Sequence, residues 1–129
     1  MSCTTTVSRA AHVLAVHRRT IIRAVRRDQR APFIQAYDPP LALKAVARAF
    51  RCDATLLRRA LAGRDALLDL GEAAVAAGIR ARTFRYRASR HAAWRPDARS
   101  GAVIRRWSRN RIAALAARWR FNRPNGGRL

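Results

Sequence analysis

Residues 10–21 read A-A-H-V-L-A-V-H-R-R-T-I, and residues 73–84 read A-A-V-A-A-G-I-R-A-R-T-F. Ala10/Ala73, Ala11/Ala74, Arg19/Arg82 and Thr20/Thr83 are identical across the two stretches, and Ala15/Gly78, Val16/Ile79 and Ile21/Phe84 are similar. The spacing has a physical logic. A small residue inside a first helix (Ala11 or Ala74) lets a second helix cross closely. Four positions later the chain turns sharply, which suits Gly78 and tolerates Ala15. Val16 or Ile79 then plugs the space between the helices, and Ile21 or Phe84 anchors the second helix to the first. A weaker copy lies between them: Ala47 corresponds to Ala11, Cys52 to Val16, Leu57 to Ile21, and Arg59-Ala60-Leu61 to Arg23-Ala24-Val25. Arg51 stands at its turn, where glycine is favoured. This middle segment is either a degenerate copy or simply two packed helices, and its near-neutral charge favours the second.

The rest of the chain fits the same scale of short helices. Ala and Arg dominate and both favour helix. Helices are expected over Ser8–Leu14, Arg18–Arg27, Leu41–Phe50, Ala54–Ala62 with Asp53 as N-cap, Asp69–Ala77, Ala81–Ser89 and Arg109–Trp119 after Ser108. Asp69 and Glu72 have capping-box spacing, and Gly63 and Gly78 are stops. Ala31–Tyr37 reads as extended and ends at Asp38-Pro39-Pro40. Residues 92–103 read as irregular, Val103–Trp107 as a short strand, and residues 122–129 as a flexible tail.

Charge narrows the function. The 129 residues carry 28 basic and 7 acidic side chains, a formal net charge of +21, and Lys44 is the lone lysine. Residues 1–27 hold six arginines and no acid; residues 28–79 balance seven basic groups with six acidic ones; residues 80–129 set fifteen basic groups against Asp97 alone. A chain that is 50% hydrophobic is able to fold, and two basic thirds of such a chain call for a polyanion, nucleic acid foremost. No apolar run approaches the length needed to span a bilayer. The N-terminus lacks the features of a secretory signal, and Cys3 and Cys52 make no disulfide framework. A cytoplasmic, nucleoid-associated protein is expected, with no membrane partner.

The paired pattern resembles the helix-turn-helix of bacterial and phage DNA-binding proteins of the MerR-like and excisionase (AlpA-like) families, whose motif reads like A-A-x-x-L-G-V-S-x-x-T-V-Y-R. Those families follow the motif with a wing and a pattern like R-x-W-x-R-x-x-I/V-x-x-W/L, which Arg106-Trp107-Ser108-Arg109-Asn110-Arg111-Ile112-Ala113-Ala114-Leu115 is similar to. The resemblance spans about residues 70–119 and, less closely, 5–30. Arg87 departs from it, falling where the families bury an aliphatic residue, and Leu115 replaces an aromatic. The resemblance implies a mainly α fold of tandem (winged) helix-turn-helix units with one or two short β-hairpin or wing segments. Residues 1–37 would form the first unit, 38–68 a helical scaffold or degenerate unit, and 69–121 a second, winged unit. It also implies a sequence-specific double-stranded DNA-binding protein: a small transcriptional regulator or excisionase-type mobile-element factor, with recognition helices in the major groove.

The residues expected to meet DNA are His17, Arg18, Arg19, Arg23, Arg26 and Arg27 in the first unit, and Arg80, Arg82, Arg85, Tyr86 and Arg90 in the last. Arg18, Arg19, Arg23, Arg82 and Arg85 are placed nearest the bases, since arginine pairs two-point with guanine O6 and N7. Arg105, Arg106 and Arg109 on the wing are expected at phosphate or the minor groove. The middle segment offers a surface for a homodimer. Trp94, Trp107 and Trp119 are expected in the core rather than stacked on bases. His12, His17 and His91 with the two cysteines show no metal-ligand spacing. No phosphate loop, nucleophile motif or carboxylate cluster is present in the sequence, so neither an enzyme, a cofactor, a metal nor a small-molecule effector is expected. Alternatives are a non-specific architectural DNA-binding protein, an RNA-binding protein, and an adaptor for an acidic protein partner.

Overall fold

In the computed structural model, residues 4–29, 40–101 and 103–121 are described, without the side chains of residues 28, 29, 120 and 121. The extended segment expected at 31–37 and the tail at 122–129 lie outside the described residues. What is described is mainly helical with small antiparallel sheets.

A short strand running straight into a tight pair of helices recurs along the chain. Strand β1 (Thr4–Thr6) leads to α1 (Val7–Leu14) and α2 (Arg18–Gln29); β2 (Pro40–Ala42) leads to α3 (Leu43–Ala49) and α4 (Ala54–Leu61); β3 (Leu67–Leu68) leads to α5 (Leu70–Ala77) and α6 (Ala81–Arg90). Corresponding elements begin 36 and 63 positions apart along most of their length, the spacings of the sequence copies. Local chemistry explains the helix starts. Thr6 and Asp69 accept from the backbone of Arg9 and Glu72, and Asp69 and Glu72 complete a reciprocal capping box. Before the second helices, His17 Nδ1 accepts from Arg19 N and Asp53 Oδ1 from Thr55 N.

The turns are built alike. Ala15, Arg51 and Gly78 all adopt left-handed backbone, with φ of 55°, 47° and 71°. The next residue's N–H returns to the first helix each time: Val16 to Ala11 O, Cys52 to Ala47 O, Ile79 to Ala74 O, at 3.0, 2.8 and 3.1 Å. The middle segment is therefore not an arbitrary helix pair, since it repeats the turn of its neighbours even with arginine at the strained position. A Cβ at Gly78 would meet no atom within 4 Å, so Gly78→Ala carries conformational strain alone. It is expected to lower stability by about 1 kcal/mol in urea titration, and Arg51→Gly to raise it by a similar amount.

Strands β1 and β2 pair antiparallel with Thr5 opposite Leu41, Thr4 opposite Ala42 and Thr6 opposite Pro40. Thr5 and Leu41 are equivalent positions of their units, so the first two units are related by a local two-fold axis, with α2 packed on α3 and α4 on α1. They share one core, including Val7, Leu14, Ile21, Val46, Phe50 and Leu57. A second core surrounds α5 and α6. After a 3-10 turn (Ala92–Trp94), the hairpin β4 (Ala98–Ser100) and β5 (Ile104–Ser108) leads into α7 (Arg109–Phe121), and β5 also pairs with β3. Phe84 lies edge-on to Trp94 and Trp107 at 5.6 and 5.1 Å, and the indole N–H of Trp107 donates to Trp94 O.

Several sequence expectations shift. The helix expected from Leu41 starts at Leu43, because Leu41 and Ala42 belong to β2. Residues 92–103, expected to be irregular, contain the 3-10 turn and β4, whose order comes from pairing with β5 rather than from a local signal. The strand expected over Val103–Trp107 runs one residue later.

Candidate nucleic-acid interface

Helix α2 divides sharply by periodicity. Ile21, Ala24 and Val25 are buried. Arg19, Arg23, Arg26 and Arg27 are exposed, and at 3.6 residues per turn they fall within about 100° on the opposite side. Arg18 is half-buried beside this stripe. His17 is exposed, and its ring caps the start of the helix.

Helix α6 repeats the division. Phe84 and Arg87 face inward, while Arg82, Arg85, Tyr86 and Arg90 are exposed within an arc of about 140°. Arg90 lies over the Tyr86 ring at 4.8 Å, which orients a cation and an aromatic face together at the open side. Arg80 is the exposed N-cap residue. Through the unit repeat, Arg82, Tyr86 and Arg90 take the places of Arg19, Arg23 and Arg27. In the middle unit the same places fall to Thr55 and Arg59 on α4 and to Gly63 beyond its end. The middle unit keeps the backbone and retains one arginine of that face, Arg59.

Electrostatics sharpens the contrast. All five carboxylates with described side chains accept hydrogen bonds from within the chain, three of them at exposed helix starts. Asp53, Asp69 and Glu72 cap helices. Asp65 is buried and accepts from Ser108 Oγ at 2.6 Å and Asn110 N at 3.1 Å. Asp97 accepts from Ser108 N and pairs with Arg111 at 2.9 Å, and Arg111 also donates to the carbonyls of Ala93 and Arg95. Among the described residues, Arg19, Arg23, Arg27, Arg80, Arg82, Arg85 and Arg109 have no carboxylate partner. Their positive field is therefore directed to solvent.

The hairpin changes one assignment and adds one residue. Arg106, expected at phosphate or the minor groove, is turned inward. Its Nε and Nη2 donate to Leu14 O and Ala15 O at 2.7 and 2.9 Å, and its Nη1 to Arg105 O at 2.8 Å. Carbonyls at the end of α1 are unsatisfied acceptors on the negative pole of a helix, and a guanidinium fits them two-point. Sequence reading missed Arg99. It sits directly opposite Arg105 across the hairpin, so both side chains share one face. Like charges in that position repel. Arg99 is exposed, and Arg105 is half-buried with its guanidinium 5.9 Å from the Trp107 ring. Val103, at the hairpin tip, is 86% exposed.

Two unusual inward residues complete the site's support. Arg87, only 7% exposed, has its guanidinium over the rings of Trp94 and Trp119, at 5.0 and 4.5 Å, and those rings meet edge-on at 5.7 Å. The guanidinium is accommodated inside by cation–π contact. Burial, reinforced by the carboxylates of Asp97 and Asp53, pushes the Cys52 thiol up to about 12. With its folded value raised, this group's contribution to stability is complete below the unfolded value and is lost as pH rises towards 12. The thiol stays protonated near neutrality. Alkylation of Cys52 at pH 8, followed by peptide mapping, is expected to be at least about 100-fold slower in the native protein than in urea.

Among the described residues, no helix is long and apolar enough to cross a membrane. No family model matches the chain, and no curated protein or solved structure matches it either.

Proposed function

We propose that the strand–helix–turn–helix units are helix-turn-helix modules, the last one winged, and that the protein binds double-stranded DNA sequence-specifically. It would act as a small transcriptional regulator or excisionase-type factor associated with the nucleoid. The observation that carries this reading is the pair of outward arginine faces on α2 and α6, opposite their buried sides, in a fold whose described carboxylates are all engaged elsewhere. The second helix of such a pair is the element that enters a major groove. Arg19, Arg23, Arg82 and Arg85 are assigned to base edges, with Arg18 at the margin of the α2 face. Arg26, Arg27, Arg80, Arg90 and Arg109 are assigned to flanking phosphates, and Tyr86 to the adjacent backbone. Arg99 and Arg105 would hold a phosphate between them, which offsets their mutual repulsion. The role is one of binding, not of catalysis.

Selection of bound duplexes from a random pool at about 150 mM salt tests this reading, because non-specific phosphate binding is weak there. Recovery of a motif is the expected result. In that motif, Arg82→Ala or Arg85→Ala should relax the preference at one or two positions, at about 1–3 kcal/mol each. Recovery of no motif would instead favour an architectural role, and preference for structured RNA over duplex would move the assignment to RNA.

A further inference from the structure

The β4–β5 hairpin is held against the first core as well as its own. Ala98 and Leu67 are buried in the core built by α1–α4. The Arg99 amide donates to Phe50 O, at the end of α3, at 2.7 Å. Arg106 reaches from β5 to the carbonyls of Leu14 and Ala15. Those two carbonyls belong to the left-handed turn from which α2 departs. All three Arg106 nitrogens donate to backbone carbonyls, so the guanidinium has one orientation. Strand β5 in turn pairs with β3, which enters the α5–α6 unit. Of these ties, Arg106 is the one whose side chain joins the turn that launches α2 to β5, the strand paired with the entry to the α5–α6 unit.

We propose that Arg106 is a positioning residue that fixes the separation of α2 and α6, so that one chain accepts a single spacing between two different, non-palindromic half-sites. This rests on the DNA-reading assignment above. The half-sites differ because the base-edge residues sit at different places: Arg19 and Arg23 on α2, but Arg82 and Arg85 on α6, where Tyr86 stands in the place of Arg23. The local two-fold does not generate a palindrome, because α4, the dyad partner of α2, keeps only Arg59 of the arginine face. Adding one base pair between half-sites moves the second by about 3.4 Å and rotates it by about 35°. A rigid reader then loses simultaneous engagement, and with it the gain from linked contacts.

The test uses the full chain and a selected duplex with its spacer shortened or lengthened by one to three base pairs. The wild type is expected to lose at least about 10-fold in affinity for each altered spacer. Arg106→Lys keeps the charge but cannot donate two-point to Leu14 and Ala15. It should bind the original spacer within about threefold of the wild type and flatten the spacer penalty to about threefold or less. A phosphate contact by Arg106 gives a different outcome, with Arg106→Lys keeping the sharp spacing. That result, or a wild type indifferent to spacing on a bipartite motif, overturns the inference alone. Failure to select any motif overturns the DNA reading and the inference with it. Should Arg106→Lys fold poorly, Arg106→Gln, which cannot reach both Leu14 O and Ala15 O, replaces it, and sharp spacing in that variant likewise overturns the inference.

Discussion

Raising salt from about 50 to 200 mM is expected to weaken duplex binding by about 10³- to 10⁵-fold, the loss produced by releasing counterions from six to ten phosphates. The number of contacts follows from the exposed cations. Arg26, Arg27, Arg80 and Arg90 lie on or at the ends of the two helices assigned to bases, exposed Arg99 and Arg109 and half-buried Arg105 lie on the hairpin and at the start of α7, and the seven acidic residues of the chain supply little opposing field. A slope of log affinity against log salt between about −5 and −9 is expected from fluorescence anisotropy. Arg99→Ala and Arg105→Ala should each reduce the slope by about one without changing the selected motif. Arg106→Lys should leave the slope unchanged, because the charge is kept and the Arg106 guanidinium is bonded to Leu14 O and Ala15 O. A shallow slope of about −2 would mean that the arginine surface does not lie along a nucleic-acid backbone.

Trp107→Ala should destabilise the protein by about 3–5 kcal/mol in urea denaturation. The side chain is fully buried, contacts Phe84 edge-on and donates to Trp94 O. Removing it opens a large cavity behind α6, leaves the Trp94 carbonyl without that donor and loosens the strand that pairs with β3. Binding through α6 should fail while the α1–α4 core, formed by a separate set of residues, retains helical signal. Trp107→Phe keeps most of the apolar volume and should lose less than half as much stability. A change below about 1 kcal/mol for Trp107→Ala would place the tryptophan outside the working core.

Local signals made much of this legible in the sequence. Asp69, Glu72 and Gly78 specify the bounds of α5 through short-range hydrogen bonds and backbone freedom, and their spacing is visible without any tertiary context. The periodicity of Ile21, Ala24 and Val25 against Arg19, Arg23 and Arg27 likewise identifies both faces of α2. Strands β1 and β3 carry no such signal. Thr4–Thr6 and Leu67–Leu68 are too short for a period, and their partners lie far along the chain. The fate of Arg106 was hidden for the same reason, since its acceptors are about ninety residues away and are backbone atoms that no side-chain pattern reports. Arg51 concealed the regularity of the middle turn, because an arginine at positive φ is held there by its flanking helices rather than by its own preference. Arg99 became noticeable only once the hairpin register set it opposite Arg105.

The most direct measurement is competition at about 150 mM salt among a selected duplex, a scrambled duplex of the same composition and a structured RNA. Base readout by α2 and α6 predicts that the selected duplex is preferred by at least about 10³-fold over both competitors, and that Arg23→Ala or Arg82→Ala erodes that preference. Equal competition by all three would contradict it, leaving a charged surface that binds polyanions without reading them.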